Sequence, residues 1–363
     1  NNIYSIDNNT IKPFYSYYSD GFNDFNIYNH PNKSNPVILQ LQITPEKVFD
    51  ERNTLFDIYN NSIIKNDIPL KSINFDNISI NTLIHKHIFI NYETTSLINK
   101  DSPNNIIRNR KDSSISVGLE YIKDKRNSGF ISAGNTAAIM ILSRLKLGML
   151  EGIDRPAICS NIPNHQDYSL MLDLGANVSS DAKNLFQFAL MGFCYHSIFK
   201  PHLEPKLSII NIGTEENKGK GYLQEAMDLI NNSFLKKYFI GFIEPNKITS
   251  GLSDIMITDG YTGNIILKTA SGMSNYITDN LKNVFTSSFK NKLSYKIIEK
   301  DLNIFRDKIN PDRYNGAILI GVNGISIKSH GSANPYAFSC AINKCYHFII
   351  NDLNKKIKEN FKY

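Results

Sequence analysis

One construction constrains this chain more than any other: an apolar run that ends in a glycine turn and reopens as a helix. It is clearest at residues 253–269, SDIMITDGYTGNIILKT, where Asp254 to Thr258 spells a short buried strand and Asp259-Gly-Tyr-Thr-Gly-Asn264 spells a turn with two glycines. The apolar run that follows, as far as Lys268, predicts the first turns of a helix. A strand that feeds a helix through such a turn aims backbone N–H groups and the positive end of the helix dipole at one spot, which favours an anion there. Residues 129–136 lead into an apolar helix at 137–147 by the same device, and residues 207–213 lead into Thr214-Glu-Glu-Asn-Lys-Gly219.

From about residue 115 onward strands alternate with helices, which predicts an α/β fold whose mostly parallel sheet is covered on both faces. In such sheets ligands bind beyond the carboxyl ends of the strands. The turns at 132–136, 173–177, 211–219, 259–264 and 328–334 are all expected at those ends and are expected to converge. Before that region the chain reads differently. Residues 1–36 mix Asn, Tyr and Ser without period and read as a poorly ordered lead-in, after which 37–363 is expected to be a single α/β domain. No glycine occurs between Phe22 and Val117, so that part is expected to supply scaffold rather than a phosphate loop. His85 and His87 share one face of an expected strand, but a third metal ligand is not found, and no metal is expected.

Composition excludes several classes. The net charge of +6 favours acidic partners, yet no dense basic run with interleaved aromatics is present, so nucleic acid is not expected. Four cysteines without CxxC spacing read as reduced thiols. No apolar run reaches the roughly 20 residues that span a bilayer, and residues 1–21 lack the apolar core of a signal peptide, so the expectation is a cytoplasmic protein.

The expected rim carries Asn135, Thr136, Asp173, Asn177, Glu216, Lys218, Asp259, Asn264, Lys268 and His330. No GxSxG elbow occurs, and none of the cysteines lies at a strand-end turn, which argues against a covalent nucleophile. The stretch Gly213-Thr-Glu-Glu-Asn-Lys-Gly-Lys220 has one residue too many between its glycines for a nucleotide-binding P-loop. What remains is a pocket for phosphate or a phosphorylated ligand. Arg108, Arg110 and Lys111, ahead of a Ser-capped helix, read either as a solvated helix start or as a docking point for an acidic partner. Residues 272–310 alternate Ile277, Leu281, Val284, Phe285, Leu293, Ile297 and Ile298 with Lys282, Lys290, Lys292, Lys296 and Lys300. Such a basic amphipathic segment suits either an anionic membrane or a dimer interface.

The stretches RNRKDSS, ISAGNT, GIDRPA, LDLGANV, QFALMG, NIGTEENKG, ITDGYTGNIILKT, YNGAILIGVNG and IKSHGSAN, which run in order from about Arg108 to Ala341, resemble the bacterial phosphate acyltransferases of phospholipid synthesis. The resemblance implies a three-layer α/β/α sandwich similar to phosphate acetyltransferases and isopropylmalate dehydrogenases. It also implies a homodimer, transfer of a long-chain acyl group from acyl carrier protein to inorganic phosphate, and no cofactor. Peripheral contact with the inner face of the membrane, and with a downstream glycerol-3-phosphate acyltransferase, belongs to the same implication. On it, Ser132, Gly134, Asn135 and Thr136 cradle phosphate, with Asp173, Glu216, Asp259, Gly260, Thr262 and Gly263 in the same substrate site. Lys218 and Lys268 are countercharges, and Asn177, Asn264 and His330 stabilise the oxyanion or protonate the leaving sulfur. Asp173, Glu216 and Asp259 would orient the cations. The family's glycine-rich opening, Asp-Ala-Met-Gly-Gly-Asp, has no counterpart around residues 37–48, and Ala137 and Ser271 replace a usual Gly and Glu. Two rivals remain: an acetyl or butyryl transferase between coenzyme A and phosphate, separable by offering both thioester carriers, and a non-catalytic scaffold that binds acyl carrier protein.

Overall fold

The computed structural model describes residues 113–361 apart from 124, 126 and 127, and before them the backbone of four short strands. The first two, β1 (Ile6–Asp7) and β2 (Thr10–Ile11), pair antiparallel. The region of Arg108, Arg110 and Lys111, and that of His85 and His87, lies outside the described residues. The chain forms two compact units, Asn1–Pro156 with Asn315–Tyr363, and Ala157–Tyr314.

In the first unit β3 (Ile38–Gln42), β4 (Ile88–Asn91), β5 (Ser128–Ser132), β11 (Ala317–Ile320) and β12 (Ile325–Lys328) lie in the order β4-β3-β5-β12-β11. All neighbours are parallel except β11 with β12. The helices are α1 (Ser114–Ile122), α2 (Thr136–Leu147), α7 (Pro335–Ile350) and α8 (Leu353–Asn360). Successive strand residues face opposite ways, and β12 shows what this achieves. The Ser326 hydroxyl meets Ser143 of α2 at 2.9 Å, whereas Ile325 lies on the face where a Cβ at Gly129 would come within 2.4 Å of Cys345 on α7. Helices therefore cover both faces, with Phe130, Ile131, Ile139, Ile327 and Phe348 fully buried between them.

In the second unit β6 (Ala157–Pro163), β7 (Tyr168–Leu172), β10 (Ile255–Ile257), β8 (Leu207–Ile210) and β9 (Phe239–Ile243) lie side by side in that order. All neighbours are parallel except β6 with β7. Helix α3 (Ala182–Phe199) packs so closely that a Cβ at Gly192 would lie 2.8 Å from Ile255 and 3.2 Å from Leu172. On the opposite face Met171, Leu174, Ile210 and Met256 form a buried cluster that takes Ile266 and Leu267 of α5 (Gly260–Thr286). Helix α4 (Gly221–Asn231) follows β8, and α6 (Phe289–Ile309) follows α5.

The expected α/β class with a mostly parallel sheet is what both units show. Three local features go beyond what the residue pattern shows. Residues 161–163 extend β6 because Asn161, Ile162 and Pro163 pair with Leu170, Ser169 and Tyr168 in an antiparallel hairpin. Residues 325–328 form β12, since the four-residue link 321–324 turns the chain straight back from β11. The last helical stretch breaks between α7 and α8 at Asp352, which adopts φ 46 and caps α8 by accepting the Lys355 N–H at 3.3 Å.

Candidate active site

The first unit brings two loops together where β5 and β12 end. Ser132 and Lys328 are register partners at the carboxyl ends of these parallel strands. The Ser329 N–H donates to Ser132 O at 2.9 Å, and Ser132 Oγ accepts the Gly134 N–H at 3.0 Å. Asn135 then caps α2, its Oδ1 accepting the Ala138 N–H at 2.9 Å. That capping bond explains the Asn in the turn: of the side chains that can satisfy a helix's first N–H groups, Asn is among the best. Thr136 stands exposed at the helix start.

The facing loop is stitched by Asn315, whose amide donates to Ser329 Oγ at 2.8 Å and to Ala337 O at 2.7 Å, while its Oδ1 accepts the His330 N–H at 2.9 Å. His330 is exposed, and its Nδ1 lies 2.6 Å from Ser332 Oγ. Lys328 reaches across, donating to Ala133 O at 3.1 Å and to Ser329 O. Burial holds its ammonium down at about 8. Neither Asn315 nor Lys328 was among the residues the sequence singled out. For Lys328 the signal was available, a lysine closing the alternating run Ile325-Ser-Ile-Lys328.

The second unit brings together the loops after β7 and β10. Asp173 is buried and accepts five N–H donors: Ile158 N at 2.9 Å, Gly175 N at 3.1 Å, Ala176 N at 2.9 Å, Asn177 N at 2.8 Å and Asn177 Nδ2 at 2.9 Å. Burial pushes its carboxyl up, opposed by these donors. Asp259 caps α5, with Oδ1 accepting Thr262 N at 2.9 Å and Oδ2 accepting Thr262 Oγ1 at 2.8 Å and the Tyr222 hydroxyl at 3.2 Å. Burial and the Asp259 charge push the Tyr222 phenol up to about 12, so Tyr222 stays a donor. The glycines of the turn are contact points. A Cβ at Gly260 would lie 2.3 Å from Asn177 O, and one at Gly263 would lie 1.9 Å from Asp173 O. Asn264 follows, against Gly175.

The cations expected beside these carboxylates lie elsewhere. Lys218 pairs at 2.6 Å with Glu215, which was not among the carboxylates expected to orient the cations, and both side chains of that pair are half exposed. Lys268 is exposed two turns along α5. Asn211 organises the Lys218 loop by donating to Lys218 O at 2.9 Å, and Gly219 (φ +87) is held so near that a Cβ would meet Asn211 Oδ1 at 2.1 Å. Asp173 and Asp259 therefore spend their acceptors on backbone, amide and hydroxyl donors. They fix loop geometry and leave little capacity for proton transfer.

Each unit thus presents a strand-end turn that opens an α-helix under an Asn or Asp cap, and the first unit adds a half-buried lysine. No group of three metal-ligating side chains occurs among the described residues. The family description "Fatty acid synthesis protein" matches residues 80–356. A phosphate acyltransferase of Ehrlichia ruminantium is 36% identical over 85% of this chain and 87% of its own length, and one of Erythrobacter litoralis is 38% identical over 71% and 73%. This chain belongs to the phosphate acyltransferase family. A third member, from Ehrlichia chaffeensis, is 35% identical over 88% of this chain and 93% of its own length. Membership places the chain among the acyltransferases. Among solved structures, a branched-chain phosphotransacylase from Enterococcus faecalis overlays 86% of this chain and 99% of its own with a TM-score of 0.48 at 9% identity. The α/β class stands on the strands and helices themselves.

Proposed function

We propose that this chain transfers a long-chain fatty acyl group from acyl carrier protein to inorganic phosphate, giving an acyl phosphate for phospholipid synthesis. The observation that carries the reading is the identity of 35–36% to phosphate acyltransferases over 85–88% of the chain. The geometry is compatible with it. A phosphate oxygen attacks the thioester carbonyl carbon, the C–S bond breaks, and the thiolate leaves and takes up a proton. Phosphate is anionic and nucleophilic near neutral pH, so the protein's task is to position and partly desolvate it. A turn that opens α2, with Ser132, Gly134, Asn135 and Thr136, suits that task. Lys218, Lys268, Asn177, Asn264 and His330 are retained as candidates for charge neutralisation, oxyanion stabilisation and protonation of the sulfur.

The membrane part of the proposal rests on charge and apolar surface. Beyond Leu267, α5 and α6 bury almost nothing, and Met273, Tyr276, Ile277, Val284, Phe289, Leu293 and Ile297 are exposed beside a row of lysines. No helix of the described residues is long and apolar enough to cross a membrane. A homodimer or an anionic bilayer would cover this face.

The test is an assay with purified chain, phosphate and a long-chain acyl carrier protein, read as acyl phosphate formed and thiol released. Product with acyl carrier protein but not with acetyl coenzyme A supports the reading. Product with acetyl coenzyme A alone would reassign the substrate.

A further inference from the structure

Among the described residues Lys328 is a cation without a carboxylate counter-ion. Its side chain is half-buried, and desolvation is the cause that shifts its titration. No carboxylate of the described residues pairs with it. Its partners are two carbonyls, Ala133 O and Ser329 O. Lysines are rarely buried unless paired, because an ammonium out of water without a compensating charge is costly. The fold holds this one in place all the same. Side-chain alternation puts Lys328 on the same face as Ser326, the face covered by α2. From there it reaches the 132–136 turn that opens α2, and Gly331 approaches the same turn, its added Cβ only 3.6 Å from Ala133 O. An ammonium has three N–H donors, and two carbonyls leave one for an incoming acceptor. The first N–H groups of α2 lie in the same turn and have no acceptor within the helix, apart from Ala138 N, which Asn135 caps.

We propose that Lys328 is a phosphate-binding residue, whose ammonium, held against the 132–136 turn, supplies the positive charge that fixes the attacking phosphate at the N-terminus of α2. This rests on the reading of the chain as an acyl-phosphate-forming enzyme. It places the countercharge for phosphate in the first unit, at a residue distinct from Lys218 and Lys268. It also explains why no carboxylate among the described residues pairs with the ammonium: a carboxylate there would neutralise the charge and repel the substrate. The anion would raise the affinity of Lys328 for its proton, so the free enzyme loses phosphate affinity as pH rises through about 8.

The experiment uses the full chain with inorganic phosphate as the varied substrate and the acyl thioester fixed, in wild type, Lys328→Met and Lys328→Arg. In Lys328→Met the KM for phosphate is expected to rise about tenfold or more, the loss of one charge-assisted hydrogen bond, with the KM for the thioester within about twofold. Lys328→Arg should restore much of the phosphate affinity and abolish the alkaline fall of kcat/KM for phosphate, since guanidinium keeps its proton. A merely structural lysine would move both KM values together and leave the pH limb in place. A wild type that makes acyl phosphate beside a Lys328→Met variant with unchanged KM for phosphate overturns the proposal and leaves the activity standing. If the wild type makes none, the functional reading fails, and the Lys328 site is decided by phosphate-induced rise in Tm. A rise in wild type that Lys328→Met lacks supports the site, whereas an equal rise in both, or none in either, overturns it. Should Lys328→Met not fold, the pH profile of Lys328→Arg decides.

Discussion

Helix α5 offers a comparison in which one substitution should have opposite effects at two sites of the same element. At Gly263 an added methyl would sit 1.9 Å from the backbone oxygen of Asp173, where real Cβ atoms stay beyond about 3.0 Å. Helix and loop would have to part by about 1 Å. The obstacle is main chain, and the five donors to Asp173 tie it down, so no side chain can swing aside. Overpacking against such a wall costs about 3 kcal/mol, the upper part of the usual range. The better helix propensity of Ala returns about 0.5–1 kcal/mol, leaving Gly263→Ala roughly 2 kcal/mol less stable. At Gly272, nine residues along, nothing lies within 4 Å of the added methyl. There only the propensity gain remains, and Gly272→Ala should be stabilised by about 0.5–1 kcal/mol. Urea unfolding followed by far-UV circular dichroism, fitted with a common m of a few kcal/mol per M, should separate the two midpoints by about 1 M. Equal midpoints, or a Gly263→Ala variant as stable as the wild type, would refute the close approach of α5 to the β7 loop.

Other outcomes follow from the same contacts. Lys218→Ala removes a half-exposed ion pair with Glu215, so its unfolding midpoint should match the wild type; acyl-phosphate formation that also matches would remove Lys218 from the candidate residues. Met at Lys328 removes a desolvation cost of about 3 kcal/mol at neutral pH, so Lys328→Met should melt at higher temperature. The unfolded chain holds that proton more tightly than the folded one. Wild-type stability should therefore climb as pH rises from about 8 toward the ordinary lysine value, and the variant's pH–stability profile should lack that component. For the surface of α5 and α6, binding to anionic vesicles that disappears at high salt would favour a membrane over a dimer. A salt-insensitive dimer weakened by Ile277→Asp would favour the second copy.

How much of this was legible in the sequence depends on the type of constraint. Strands that end in Gly, Asn or Asp before an apolar helix announce themselves, because capping and close approach demand those residue types; Asn135, Asp259, Gly260 and Gly263 could be found that way. Pairing direction could not. The hairpin of β6 and β7 uses the same apolar residues a parallel strand would use, and β12 is only four residues long. Nor could the partner of a polar side chain be read off. Asp173 looked like an anchor for a lysine and proves to be an acceptor for its own loop, and Lys218 pairs with Glu215, three residues before it. For Lys328 the sequence offered only a lysine closing an alternating run, which usually snorkels to solvent, and the crossing to Ala133 O shows where its ammonium is held instead.

The most direct test of the account is the fate of labelled inorganic phosphate incubated with the full chain and a long-chain acyl carrier protein. The account predicts label in a hydroxylamine-sensitive acyl phosphate, with one free carrier thiol appearing for each one formed. Thiol release without label in an acyl phosphate, or no thiol release at all, would contradict it.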